Sequence, residues 1–94
     1  MAAVADANVL YTDVWVSMGM EDEAARREGA FTDYQINEKI INLADPNVMV
    51  MHCLPAYRDK EISESAFEAN AGTIFSQAEN RLHAQKAIMR DLAT

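Results

Sequence analysis

Apolar and polar positions along this chain come in short alternating blocks. Asn8-Val9-Leu10-Tyr11-Thr12 and Val48-Met49-Val50-Met51-His52 are runs of strand formers, and each gives way to turn chemistry, at Asp13 and at Pro55. A third, shorter run is Thr73-Ile74-Phe75. The unbroken apolar character of Val48 to Met51 predicts a strand covered on both faces. The stretches between the runs are helical in character. Glu21 to Glu28 reads as a short charged helix ended by Gly29. Glu38 to about Ala44 follows, with Asn37 as N-cap and Ile36 and Ile41 at the two positions of a hydrophobic staple, and Asp45-Pro46-Asn47 closes it as a turn. A loop from Cys53 to Ile62 leads to a short helix capped by Ser63 and ended by Asn70-Ala71-Gly72. Ser76-Gln77-Ala78-Glu79 matches a capping box, which would open a last helix running to about Leu92 with Ala84, Ala87, Ile88 and Leu92 on one face. The alternation predicts an α/β fold with three αβα layers, built on a parallel sheet of about three strands joined by right-handed crossovers.

The length, 94 residues, allows one small domain. Three strands are few for a parallel sheet that needs both faces covered, so residues 1–94 read as one partial domain. The formal net charge is −7, and the only basic pair, Arg26-Arg27, sits among glutamates. That balance argues against a nucleic-acid partner. No apolar stretch approaches the roughly 20 residues of a membrane span, and the first residues lack the pattern of a signal peptide. The single cysteine cannot form an internal disulfide.

Candidate chemistry gathers where the runs end. In open α/β sheets ligands bind at the C-terminal ends of the strands. Asp13 follows the first run directly, where a carboxylate can accept hydrogen bonds from an ammonium group or simply cap the loop. Ser17-Met18-Gly19 can present a hydroxyl, a backbone amide and a flexible glycine to a polar ligand, or form a surface turn. Cys53, just past the second run, is open to reading as a nucleophile, a proton acceptor, a metal ligand or a small apolar residue. His52 points to the other strand face and His83 lies far along a helix, so no metal site is predicted. His52 is expected in the core, orienting the loop through a backbone hydrogen bond. Arg81, in the first turns of the last helix, could hold an anion together with that helix's free amides, or pair with Glu79 or Asp91. Trp15 and Tyr11 read as core or wall residues.

Together, "YTDVWVSMG", "MHCLPAYR" and "QAENRLHAQKA" make nearly the whole chain similar to the C-terminal part of the ornithine carbamoyltransferases. In that superfamily the aspartate users carry proline where Cys53 stands, and the putrescine users lack Ser-Met-Gly. Tyr57, where many members have histidine, and Met20, where glutamine is frequent, depart from the pattern. The resemblance implies transfer of the carbamoyl group of carbamoyl phosphate to the δ-amine of L-ornithine, giving citrulline and phosphate in arginine metabolism, without a cofactor. It implies that Asp13 and Ser17 hold the amino-acid end of ornithine and that Met18 contributes through its backbone. Cys53 and the Leu54 carbonyl would face the δ-amine, with Cys53 as proton acceptor or as a group that favours the neutral amine. Cys53, Leu54 and Arg81 would contact carbamoyl phosphate, with Arg81 stabilising charge on it.

The family's Ser-Thr-Arg-Thr phosphate loop and His-Pro-x-Gln segment do not occur in these 94 residues. The isolated chain is therefore expected to be inactive. The resemblance further implies a homo-oligomer, a trimer in the family, located in the cytoplasm or the mitochondrial matrix. The first strand is expected to present an unpaired edge through which copies of this chain pair or swap. The competing reading is a non-catalytic module that binds amino acids or serves in oligomerisation.

Overall fold

Two parallel strands form the sheet: β1 (Val9–Thr12) and β2 (Met49–His52), with Val9 opposite Met49 and Thr12 opposite His52. The structure, a computed structural model, describes residues 2–17 and 19–94. A short 3-10 turn (Glu21–Glu23), α1 (Ala24–Phe31), a second 3-10 turn (Thr32–Tyr34) and α2 (Glu38–Leu43) connect the strands. α3 (Glu64–Ala69) and α4 (Ala71–Ala93) follow β2.

Local chemistry sets several of these boundaries as expected. The Asn37 side chain accepts from the Ile40 amide at 3.1 Å and caps α2. Ile36 is buried and Ile41 packs on the same cluster, which completes the staple. Ser63 caps α3 by accepting from the Ala66 amide at 3.2 Å. Gly29, by contrast, does not end α1. A lone glycine costs a helix only about 1 kcal/mol, and Phe31 beyond it stacks on Trp15 with ring centroids 6.4 Å apart.

The third predicted strand is helix instead. Thr73-Ile74-Phe75 lies in the first turns of α4, and the Ser76–Glu79 capping box falls inside that helix rather than at its start. The covered positions decide the matter: Asn70, Ala71, Thr73, Ile74 and Gln77 are shielded, at i, i+1, i+3, i+4 and i+7, while Ile74 is 0 % and Phe75 55 % exposed. Three strand formers are too few to set a period against the helix formers that follow. Asn70 serves the preceding helix, donating through Nδ2 to the Ala66 carbonyl at 2.9 Å.

The core joins Val50 to Ile36, Ile62, Ala66, Phe67 and Ile74, with Leu10 and Leu54 packed against it. Only one sheet face is sealed. Val50 and His52 are fully buried, whereas Met49 on the opposite face is 47 % exposed, so β2 is not covered on both sides as its composition predicted. The apolar stripe late in α4 covers nothing among the described residues. The helix is about 35 Å long, and Ile88 and Leu92 on it are exposed. β1 has no partner on its outer edge among the described residues. No helix is long and apolar enough to cross a membrane among the described residues.

Candidate active site

Because Thr12 and His52 lie opposite each other, Asp13 and Cys53 leave the sheet side by side at its C-terminal rim. There the Cys53 thiol and the Asp13 carboxylate are close enough that each shifts the other's protonation. Asp13 Oδ1 accepts from the Val14 amide at 2.7 Å. The neighbouring thiol first, then this amide, holds the Asp13 carboxyl below the usual aspartate range. The thiol responds in the opposite direction. Burial, then the neighbouring Asp13 and its charge, pushes Cys53 up, and Arg81 offsets this only in part. Reactive thiolates sit in electropositive settings. Cys53 sits instead against a carboxylate and keeps its proton.

A groove of about 480 Å³ runs between this rim and α4, lined by Tyr11, Met51, Cys53, Gln77, Asn80 and Arg81 among others. It brings Cys53 and Arg81 to one site. Arg81 belongs to the interior of α4, ten residues past Ala71, so the free amides expected beside it are taken up in helical bonding. Its guanidinium therefore acts alone on any anion. The expected alternative partners are engaged elsewhere: Glu79 reaches His83 at 3.4 Å and Asp91 reaches Arg90 at 3.9 Å.

Ser17 stands apart from this groove. It is exposed and lines a second hollow of about 180 Å³ with Trp15, Glu21, Tyr57, Lys60 and Glu61. Trp15 is a wall of that hollow, as its aromatic bulk suggested. Met18, expected beside Ser17, lies outside the described residues.

Leu54 is set by its backbone. Its φ is +58°, a left-handed conformation rarely taken by a branched side chain, and the Leu54–Pro55 peptide bond is cis. Such a φ costs of order 1–3 kcal/mol and persists only where the surroundings enforce it. Here the Leu54 amide donates to His52 Nδ1 at 2.8 Å, the backbone bond expected of His52. On the other side of the ring, Nε2 meets Glu61 Oε1 at 2.7 Å.

Two participants, and the polar role of a third, escaped the sequence reading. Glu61 is buried and paired with His52, yet nothing in Lys60-Glu61-Ile62 announces it. Only the rule that a buried histidine needs partners could have prompted the search. Gln77 spans the groove floor, accepting from the His52 amide at 3.1 Å and donating to the Tyr11 hydroxyl at 2.9 Å. Tyr11 is thereby a polar member of the site as well as its wall. Among the described residues no cluster of three His, Cys, Asp or Glu side chains is placed to hold a metal ion.

Residues 1–92 match the family model described as aspartate/ornithine carbamoyltransferase, Asp/Orn binding domain. An ornithine carbamoyltransferase of a Synechococcus species is 53 % identical over 89 residues, covering 95 % of this chain and 29 % of the relative. One from Campylobacter fetus is 54 % identical over 88 residues, covering 94 % and 28 %. In three dimensions, the crystal structure of the anabolic ornithine carbamoyltransferase from Campylobacter jejuni superposes with a TM-score of 0.94 at 43 % identity, covering 98 % of this chain and 30 % of that one. The chain thus spans a little under a third of the length of these relatives.

Proposed function

The chain belongs to the aspartate/ornithine carbamoyltransferase family, whose Asp/Orn binding domain it matches, and on that premise we propose that it supplies the C-terminal portion of the ornithine-binding domain of an ornithine carbamoyltransferase. The reaction is transfer of the carbamoyl group from carbamoyl phosphate to the δ-amine of L-ornithine, releasing citrulline and phosphate in arginine metabolism. The carbamoyl phosphate domain is carried outside these 94 residues. The observation that supports this reading best is that Asp13 and Cys53 leave one rim of a parallel sheet side by side, with Arg81 of α4 lining the groove beside Cys53.

Residue roles follow from the family resemblance. Asp13 and Ser17 hold the amino-acid end of ornithine, Asp13 as a carboxylate kept ionised by the neighbouring thiol and the Val14 amide, and Met18 adds a backbone contact. Cys53 and the Leu54 carbonyl face the δ-amine. Of the two roles open to Cys53, the raised thiol favours a neutral neighbour that suits the uncharged amine over a base that takes its proton. Arg81, with Cys53 and Leu54, meets carbamoyl phosphate and stabilises charge on its carbonyl oxygen or phosphate. No cofactor takes part, and catalysis rests on positioning and charge. The protein works in the cytoplasm or mitochondrial matrix as a homo-oligomer, a trimer when whole. The 94 residues alone pair through the open edge of β1, because an unpaired strand edge is a template for another copy.

The test is an amide-resolved NMR titration with L-norvaline, which lacks the reactive amine. Shifts at Asp13, Ser17, Met18, Cys53 and Leu54 are expected. A well-dispersed spectrum without shifts would sink the ornithine-binding role of this portion. In a carbamoyl-transfer assay, the whole protein should make citrulline and the 94 residues alone should not. Activity with putrescine in place of ornithine would reassign the substrate.

A further inference from the structure

The turn that carries Cys53 and Leu54 is held from inside the protein by two side chains that touch no ligand groove wall at Cys53. His52 and Glu61 are 0 % and 1 % exposed. The Leu54 amide donates to His52 Nδ1 at 2.8 Å, so that nitrogen must offer a lone pair. The ring proton is therefore on Nε2, which donates to Glu61 Oε1 at 2.7 Å. The same carboxylate oxygen accepts from the Tyr57 amide at 2.8 Å. Leu54 and Tyr57 bracket the turn, so both of its ends hang on one buried pair. The pair is itself anchored. The Ile36 amide donates to the Glu61 carbonyl at 2.9 Å, and the His52 amide donates to Gln77. No buried side-chain polar atom is left without a partner among the described residues.

We propose that His52 and Glu61 are positioning residues: an Nε2-protonated imidazole and a buried carboxylate clamp the Leu54 and Tyr57 amides and so hold Leu54 in its left-handed conformation and the Cys53 thiol beside Asp13. Neither residue reaches a reacting atom; both act through the turn. Their relevance to turnover rests on the ornithine-site reading above, whereas the clamp itself does not. The left-handed φ of Leu54 is the local feature that demands such a device, since a leucine leaves that region once its restraint is gone. A protonated Nδ1 would set two donors against each other at Leu54. The clamp therefore specifies one tautomer.

Two measurements on the full chain test this. Long-range proton–nitrogen NMR of the His52 ring is expected to show Nε2 protonated and Nδ1 bare at neutral pH. The Nδ1–H tautomer or a doubly protonated ring would overturn the proposal without any variant. The second is the rate at which iodoacetamide alkylates Cys53, the sole cysteine of these 94 residues, in variants whose circular dichroism matches the parent. His52→Phe removes the acceptor for Leu54 and frees the thiol from Asp13. A rate rise of about tenfold is expected, the change that one unit of thiol pKa produces. His52→Asn restores an acceptor near Nδ1 and is expected to return the rate toward the parent's. Glu61→Gln keeps one oxygen for both donors and should leave it unchanged. A folded His52→Phe with the parent's rate, or no rescue by asparagine, refutes the clamp. If His52→Phe does not fold, the ring tautomer and the asparagine variant decide. Loss of norvaline binding with the clamp intact would count against the proposed function alone.

Discussion

His52 and Cys53 are neighbours in sequence and opposite in circumstance. His52 turns into the sealed face of the sheet, beside Val50, where every polar atom is matched. Cys53 turns with Met51 toward the open face, into a groove that α4 only partly roofs. The strand's period of two puts them on different sides. What differs is therefore the layer that each side meets. The sealed face has α2, α3 and the start of α4 against it. The open face has a groove with the Cys53 thiol at one side and an arginine at the other. One side fixes geometry and the other presents chemistry, and the backbone of Leu54 joins them.

The sharpest way to break that comparison is Glu61→Ala. It strands the His52 ring proton in the core and leaves the part-buried Tyr57 amide without its acceptor, and a loss of about 3 kcal/mol in urea unfolding is expected. A loss under about 1 kcal/mol would mean that the sealed face tolerates unmatched polar groups. Next comes a pair of truncations along β2. Val50→Ala on the sealed face should cost about 2 kcal/mol, and Met49→Ala on the open face less than about 0.5 kcal/mol. Equal costs would erase the distinction between the two faces.

Cys53→Ser should alter stability by less than about 1 kcal/mol, because the site is half open and the atom swap is small. In the whole protein it should lower turnover clearly. A stability loss matching the activity loss would place Cys53 on the structural side instead.

The smallest effects are slopes with pH. The Cys53 thiol is raised in the folded chain, so the folded state holds its proton more tightly than the unfolded one. Stability should then fall as pH rises from the ordinary thiol value of about 8.5 toward the higher folded value, and Cys53→Ser should flatten that slope. Asp13 is lowered, so its contribution is present above the ordinary aspartate value of about 3.9 and is lost as pH falls through the folded one. Asp13→Asn should remove that acid slope. Unchanged slopes in both variants would dissolve the Asp13–Cys53 pairing.

Much of this was legible along the chain because it is local. Asn37 and Ser63 cap helices through bonds three residues on, and Ile36 and Ile41 meet across one helical turn. β1 and β2 announced themselves by runs of strand formers that end in turn residues. The motifs that place Asp13, Cys53 and Arg81 in one family are contiguous segments as well. Thr73-Ile74-Phe75 shows the limit: three residues cannot express a period, and the decision fell to the neighbours that Ile74 packs against. Gly29 shows it again, since its helix is carried onward by a ring that stacks on Trp15 from a separate loop.

Outside residues 73–79, the sequence by itself determined where the chain turns, which segments repeat at two or at about 3.6, and which chemical groups stand at the ends of β1 and β2, because each of these depends on residues within a turn of one another. Only the tertiary structure decided that Cys53 faces a carboxylate and so keeps its proton, that Ser17 opens to a different hollow from Arg81, and that Glu61 holds His52 from nine residues away. Those outcomes depend on distances across the fold, where burial strengthens each charge and hydrogen bond, and no spacing along the chain carries that information.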